Sequence, residues 1–300
     1  MKKVAIVGLG NVGIDYLNAL ITEKNLVNEI VLIDTNKDKL EGELLDVSDS
    51  LAVINSSINV YIGGYKDVKD ADILTICAGK NQDVGQTRLD LLNDNASIVK
   101  SITQNAILNC FKGIFVIATN PVDVMSYLVY KESNMSSNKI IGSGTILDTA
   151  RLKNIIREKT KVSTKDIVID VIGEHGDNSV ILWSRGYVNM IPITRIFTER
   201  DMGIIDEKLK NRAYDIINKK GYTSEGISLS LLEITKAILN NENKILNIST
   251  YYKGVYISMP SLVNKDGVKG IVNADYNIKE NIEIERSISV IKDAIDNMEV

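Results

Sequence analysis

Residues 3–13, KVAIVGLGNVG, leave a chain few ways to fold. The β-branched run suits a strand, and the glycines at 8, 10 and 13 end it where a helical pattern, NVGIDYLNALITEK, begins at once. Gly8 permits a tight turn, Gly10 lets a pyrophosphate approach the backbone, and Gly13 lets the helix pack close to the strand. A helix starting there points free amide N–H groups and its positive dipole end at whatever fills the turn. The spacing by itself is a weak signal, because any tight βα turn uses glycine. Asp34 strengthens it. This residue closes the second β-branched run, EIVLID, roughly 20 residues on, where a carboxylate accepts bonds from the ribose hydroxyls of an adenosine. A 2′-phosphate would be repelled there, so the pattern favours NAD over NADP. A turn followed by a capping Asp explains each feature singly, but not their spacing together.

The alternation continues through the first half. Runs at 3–8, 29–34, 58–63, 72–79, 113–119 and 139–144 read as strands. Helical patterns lie between them, and the near-continuous Ile/Val content suits parallel strands covered on both faces. This predicts an α/β fold with a Rossmann-type doubly wound parallel sheet over residues 1–142. Residues 143–300 read as a mixed α+β substrate domain joined without a linker. Its elements are a helix at 145–160, strands at 166–173 and 178–184, helices near 204–220 and 224–240, strands near 246–251, 254–259 and 268–273, and a final helix over 279–297.

Composition narrows the function classes. A net charge of −4 with interspersed signs offers no basic stripe for nucleic acid. No run approaches the roughly 20 apolar residues that cross a bilayer. The first apolar run is broken by glycines, unlike a secretory signal. Cys77 and Cys110 lie in apolar runs and read as core thiols of a reducing compartment, so a cytoplasmic location is expected.

Four polar sites fall where strands end or helices begin, which is where open α/β sheets bind ligands. AGKNQDVGQTRLD carries Gln82 and Arg88 on a glycine-bearing loop, either a closing lid or a solvated loop ended by a helix-start arginine. TNPVD places Asn120 before Pro121, either at a site or simply in a helix-start turn. LDTAR sets Asp148 and Arg151 three apart, a spacing equally served by a surface ion pair. GEHGD contains His175, the only histidine of the chain, which alone is more often an ordinary residue. Together they suit reduction of a 2-oxo acid, which needs a proton donor for the carbonyl oxygen and a planar cation for the carboxylate. An imidazole steadied by a carboxylate meets the first need, and an arginine fork meets the second.

The motifs VGLGNVG, AGKNQDVGQTRLDLLNDN, ATNPVDV, GSGTILDTARL, GEHGDNSVILWS, KKGYTSEGIS and VYISMPSLVNKDGV occur in order over nearly the whole chain. In these the chain resembles the L-lactate/malate dehydrogenase family, and within it the L-lactate and L-2-hydroxyacid branch. The resemblance implies that His175 is the acid/base, Asp148 its orienting carboxylate and Arg151 the anchor of the substrate carboxylate. It implies that Arg88 polarises the reacting carbonyl and that Asn120 contacts both the carbonyl and the nicotinamide side of the cofactor. Thr223 matches a position beside the substrate side chain, and Ile227 one packed near the nicotinamide.

Gln82 stands where malate dehydrogenases of this family carry an arginine, so a dicarboxylate lacks its second partner, and Lys80 reads as a solvent-facing lysine. Lactate is therefore ranked first and bulkier 2-hydroxyacids of the hydroxyisocaproate type second. Malate, or NAD binding without catalysis, comes behind both. Fructose 1,6-bisphosphate activation in such enzymes uses an arginine and a histidine, whose positions here hold Lys153 and Val168, so activation of that kind is not expected. The family implies a homo-oligomer, a tetramer before a dimer, and with a strand starting at Lys3 no N-terminal arm is expected to brace it.

Overall fold

The computed structural model describes residues 1–80, 88–272 and 275–299, leaving aside the side chains of 88–90. Six parallel strands open the chain: β1 (Lys3–Val7), β2 (Glu29–Ile33), β3 (Asn59–Ile62), β4 (Ile73–Ile76), β5 (Ile114–Ile117) and β6 (Ile140–Gly142). They lie in the order β3–β2–β1–β4–β5–β6, the doubly wound arrangement. All but the edge strand β3 are buried along their length, which is why their sequences run apolar without alternation. Helices α1 (Asn11–Thr22), α2 (Lys37–Val53), α3 (Arg88–Leu108) and α4 (Val122–Ser133) connect them. Each strand falls inside the run expected from sequence but stops short of its end. The surplus residues, such as Gly8, Asp34, Ala78 and Thr119, leave the ladder to form turns at the carboxyl edge.

The second half adds α5 (Ile146–Thr160), α6 (Glu199–Lys220), α7 (Glu225–Leu239) and α8 (Ile278–Asp296). Its strands are β7 (Ile167–Val168), β8 (Val171–Gly173), β9 (Ser179–Ile181), β10 (Tyr187–Val188), β11 (Ile191–Pro192), β12 (Lys244–Tyr252), β13 (Val255–Asn264) and β14 (Gly267–Ile271). Strand β12 pairs antiparallel with β6, so the sheet continues through β12–β13–β8–β9, with β14 on β13. Across that junction Gly142, Ser249, Ser258 and Gly173 stand in one lateral row. A Cβ on Gly142 would lie 2.5 Å from Ser126 Oγ, 2.7 Å from Ser249 Cβ and 3.1 Å from Val122 Cγ2, so its missing side chain lets α4 lie against the joined sheet. The halves also meet where the Tyr16 hydroxyl on α1 bonds Thr235 Oγ1 on α7 at 2.5 Å, both buried.

Four expectations are corrected. The run 166–173 is not one strand: β7 joins a small sheet β11–β10–β7, whereas β8 joins the main sheet. Asp170 makes the handover, its carboxylate accepting from Asn247 Nδ2 at 2.8 Å and its carbonyl from Leu182 N. Helix α6 begins at Glu199, well before 204, because Thr198 and Asp201 form a reciprocal capping box. Cys110 is exposed, in a left-handed turn after α3, and Cys77 is only partly buried, so neither is a fully enclosed core thiol. Strand β13 also runs past Pro260, whose carbonyl still accepts from Val272 N.

At the amino edge of the parallel strands, Lys2, Lys69, Lys112, Lys139 and Lys265, together with Asp70 and Asp72, line a cavity of about 370 Å³. The last residues of α7, Ile238 and Leu239, line it, so the lysines meet the negative end of that helix, and the cavity lies at the opposite edge from the turns described below. Among the described residues no helix is long and apolar enough to cross a membrane, and no group of three or more His, Cys, Asp or Glu could hold a metal ion.

Candidate active site

The turn after β1 has the shape a dinucleotide needs. Gly8 has φ +97°, and a Cβ there would sit 2.3 Å from the Ala78 amide nitrogen. A Cβ on Gly13 would sit 2.0 Å from the Gly8 carbonyl oxygen, so α1 can approach the turn only without one. Beside Gly10 there is open space, with nothing within 4 Å of a Cβ position. Gly10 caps α1 without a side-chain bond, and the first turn has no acidic residue, which leaves the amide donors and the dipole free for an anion. Asp34 Oδ2 accepts from Leu9 N at 2.6 Å and Oδ1 from Asn36 N at 2.9 Å, fixing the carboxylate beside the turn. These features fit an NAD pyrophosphate and ribose.

The next two strand ends are tied together by Asn95 on α3, which is 1% exposed. Its Oδ1 accepts from Lys80 N at 2.7 Å, and its Nδ2 donates to the Asn120 carbonyl at 2.9 Å. Thr119 donates to the Ala78 carbonyl at 2.7 Å. Asn120 is exposed at the carboxyl end of β5, joined by a cis bond to Pro121, which caps α4. Lys80 pairs with Asp94 at 3.1 Å with both side chains partly exposed, in keeping with a solvent-facing lysine. Gln82 lies outside the described residues. Arg88 opens α3, with its side chain likewise outside them.

Asp148 and Arg151 stand on α5 as the i,i+3 spacing requires, Arg151 Nη1 donating to Asp148 Oδ1 at 3.2 Å. The pair is not on the surface: the two side chains are 14% and 11% exposed. Asp148 Oδ2 meets His175 Nδ1 at 2.7 Å, which assigns a proton to Nδ1. Burial works against an imidazolium here, but the field and hydrogen bond of Asp148 outweigh it and raise His175 to about 9. Burial also opposes the Asp148 charge, and His175 and Arg151 nevertheless hold this carboxyl below its usual range. Among the described residues Arg151 has no other ionic partner, so most of its donor fork remains free. Thr223 lies just before α7 and Ile227 in its first turn, both half-buried.

One residue that sequence reasoning missed sits against this loop. Asp123, 2% exposed, accepts from the His175 backbone amide at 2.8 Å and from the Ser249 hydroxyl at 2.5 Å. Its only signal in sequence was a charge at the start of a helix whose other residues are mostly buried. Asn95 was similarly hidden, a single amide within a long helical pattern.

Residues 2–142 match the family model for the NAD-binding domain of lactate/malate dehydrogenases, and residues 145–300 match that for their α/β C-terminal domain. The chain is 39% identical over 307 residues to an L-lactate dehydrogenase of Bacillus pumilus, covering 98% of this chain and 97% of that protein. It is 40% identical over 309 residues to L-lactate dehydrogenase 2 of Lactococcus lactis, covering 99% and 98%. The crystal structure of the minor L-lactate dehydrogenase from Enterococcus mundtii in its ligands-bound form superposes with a TM-score of 0.96 at 38% identity, over 100% of this chain and 99% of that one. With the turn around Gly8 and the His175–Asp148 pair placed at the carboxyl edge of one sheet, the chain belongs to the lactate/malate dehydrogenase family.

Proposed function

We propose that the chain is an NAD-dependent L-lactate dehydrogenase, interconverting pyruvate and L-lactate. The observation that carries the reading is the 2.7 Å bond from His175 Nδ1 to Asp148, with Arg151 on the same helix, in a chain of this family. NAD, when bound, supplies the hydride for reduction and accepts it in oxidation. Gly8, Gly10 and Gly13 would cradle its pyrophosphate, and Asp34 its ribose. His175 Nε2 gives its proton to the carbonyl oxygen in reduction and takes it from the hydroxyl in oxidation. The raised imidazole is protonated at neutral pH, so the free enzyme is poised for reduction. Arg151 holds the substrate carboxylate through its fork.

The remaining assignments rest on the resemblance. Arg88 polarises the carbonyl, Asn120 contacts carbonyl and nicotinamide, and Thr223 and Ile227 flank the substrate side chain and the cofactor. Gln82 leaves a second carboxylate without a partner. The division into a cofactor domain over 1–142 and a substrate domain over 143–300 is proposed with them, and the extents of the two matched family models support it. So are a cytoplasmic location and a homo-oligomer, a tetramer before a dimer. An apolar cluster on the small sheet, Val168, Tyr187, Met190 and Ile191, all exposed, supports association.

The test is steady-state NADH oxidation with pyruvate, 2-oxoisocaproate and oxaloacetate, compared by kcat/KM. Preference for pyruvate is expected. Preference for 2-oxoisocaproate moves the chain to the bulkier-substrate branch with the same chemistry, and preference for oxaloacetate overturns the role given to Gln82. NADH binding without turnover of any 2-oxo acid ends the enzyme reading.

A further inference from the structure

Asp148 orients the His175 ring, but nothing in that pair decides where the backbone carrying the ring sits. Asp123 touches that backbone directly. Its Oδ2 accepts the His175 amide at 2.8 Å, and its Oδ1 accepts the Ser249 hydroxyl on β12 at 2.5 Å. On the chain it stands three residues after Asn120, in the first turn of α4. Thus one carboxylate, in the same short segment as the residue assigned to the carbonyl and nicotinamide, grips the loop of the proton donor from the other half. The Gly142 gap that admits α4 to the joined sheet is what brings these groups together.

We propose that Asp123 is a positioning residue that holds His175 in register with Asn120, and so the proton donor in register with the reacting carbonyl. This rests on the function proposed above. An acidic residue in a helix's first turn favours the dipole wherever it is, and an exposed one does so without loss of solvation. Asp123 instead is 2% exposed and forms no ion pair within 4 Å among the described residues. Burial pushes it up to about 6 and the Glu174 carboxylate adds to the rise, while the bonds from Ser249 and the His175 amide and the His175 charge pull the other way. Ser249, facing it from β12, is uncharged, and Asp148 and Arg151 act on His175 itself. A carboxyl raised on folding lowers stability as pH climbs from 3.8 through 6, so its presence at neutral pH is not explained by stability.

The test uses three variants and the chain's single histidine, whose NMR titration is unambiguous. D123N keeps an acceptor for the His175 amide and removes the charge. D123A removes both, and S249A removes the bond to Oδ1. In D123N the His175 midpoint is expected to fall by about one pH unit, and the alkaline limb of kcat/KM for pyruvate to move with it. Its thermal midpoint at pH 7 is unchanged or higher. In D123A, kcat is expected to drop about 10²-fold while the Kd for NADH stays within about twofold; S249A falls between wild type and D123A. A D123A protein whose His175 resonances, titration and kcat match wild type, or variants losing activity only in proportion to folded protein, overturns the proposal. The His175 resonances of D123A need no substrate and are expected to shift or broaden as the ring loses its place, so they decide the matter even where wild type fails to turn over pyruvate, an outcome that counts against the proposed function alone.

Discussion

Replacing Asp148 with Asn probes the site most directly, because the acceptor on His175 Nδ1 loses its charge while its volume stays. In the wild type His175 is raised from 6.5 to about 9. At 1.36 kcal/mol per pH unit this rise corresponds to about 3 kcal/mol in favour of the imidazolium, net of the burial that opposes it. Without the carboxylate only the Asp123 charge still opposes the burial penalty, and the imidazole is expected to titrate at about 6. The protonated share at pH 7 then drops from nearly all to roughly a tenth or less. An amide at 148 can also donate to Nδ1 and impose the wrong tautomer. The expected loss of kcat/KM for pyruvate at pH 7 is about 10² to 10³-fold, partly restored as the pH is lowered towards 5.5. Stability follows the same linkage. A folded value above the unfolded one contributes stability that is fully present below about 6.5 and is lost as pH rises through 9, so the wild-type thermal midpoint without ligands should fall across that window. The D148N midpoint should be flat there. Rate profiles, histidine NMR and melting curves from pH 5 to 10 check all three. A D148N histidine still titrating near 9, or a wild-type midpoint indifferent to pH between 6.5 and 9, refutes the reasoning.

Arg151→Lys keeps the charge but forfeits one of two parallel bonds to the substrate carboxylate, and kcat/KM for pyruvate should fall roughly 10 to 150-fold, read by steady-state kinetics. Gln82→Arg should raise the preference for oxaloacetate over pyruvate about 10² to 10³-fold, since a desolvated ion pair is worth a few kcal/mol; competition between the two substrates measures it. Gly8→Ala puts a Cβ 2.3 Å from backbone at φ +97° and should destabilise the fold by about 3 kcal/mol or more, seen as a lowered urea midpoint. Fructose 1,6-bisphosphate should leave KM for pyruvate unchanged, because Lys153 and Val168 occupy the two positions; an activation curve would show otherwise.

The parallel half was legible because its signals are local. β-branched runs of fixed length, a glycine turn with a defined spacing and a carboxylate at the next strand end are all readable without knowing what lies opposite. The second half was harder where a tertiary contact overrode the run. DIVIDVIG reads as one strand, yet Asp170 hands the chain from one sheet to another because Asn247, distant in sequence, takes its carboxylate. Pro260 argues for an end that β13 does not make, since its carbonyl alone suffices for Val272. Cys110 sits in an apolar run, but the run turns left-handed at the end of α3 and puts the thiol outside.

The site divides along the same physical line. His175, Asp148 and Arg151 bear groups whose chemistry is their purpose, so residue type and spacing point to them, and only the burial of the ion pair had to come from the structure. Asp123 and Asn95 act by holding backbone, an amide at 175, a carbonyl at 120 and an amide at 80, and Ser249 acts by holding the Asp123 carboxylate. A side chain that bonds backbone is indifferent to the identity of its partner, and no pattern of residue types can announce it. Yet these bonds set the distances on which proton transfer depends, since the ring of His175 goes where its amide goes. The residues proposed to perform the chemistry are therefore those the sequence displays, and the residues proposed to place them appear only once the chain is folded.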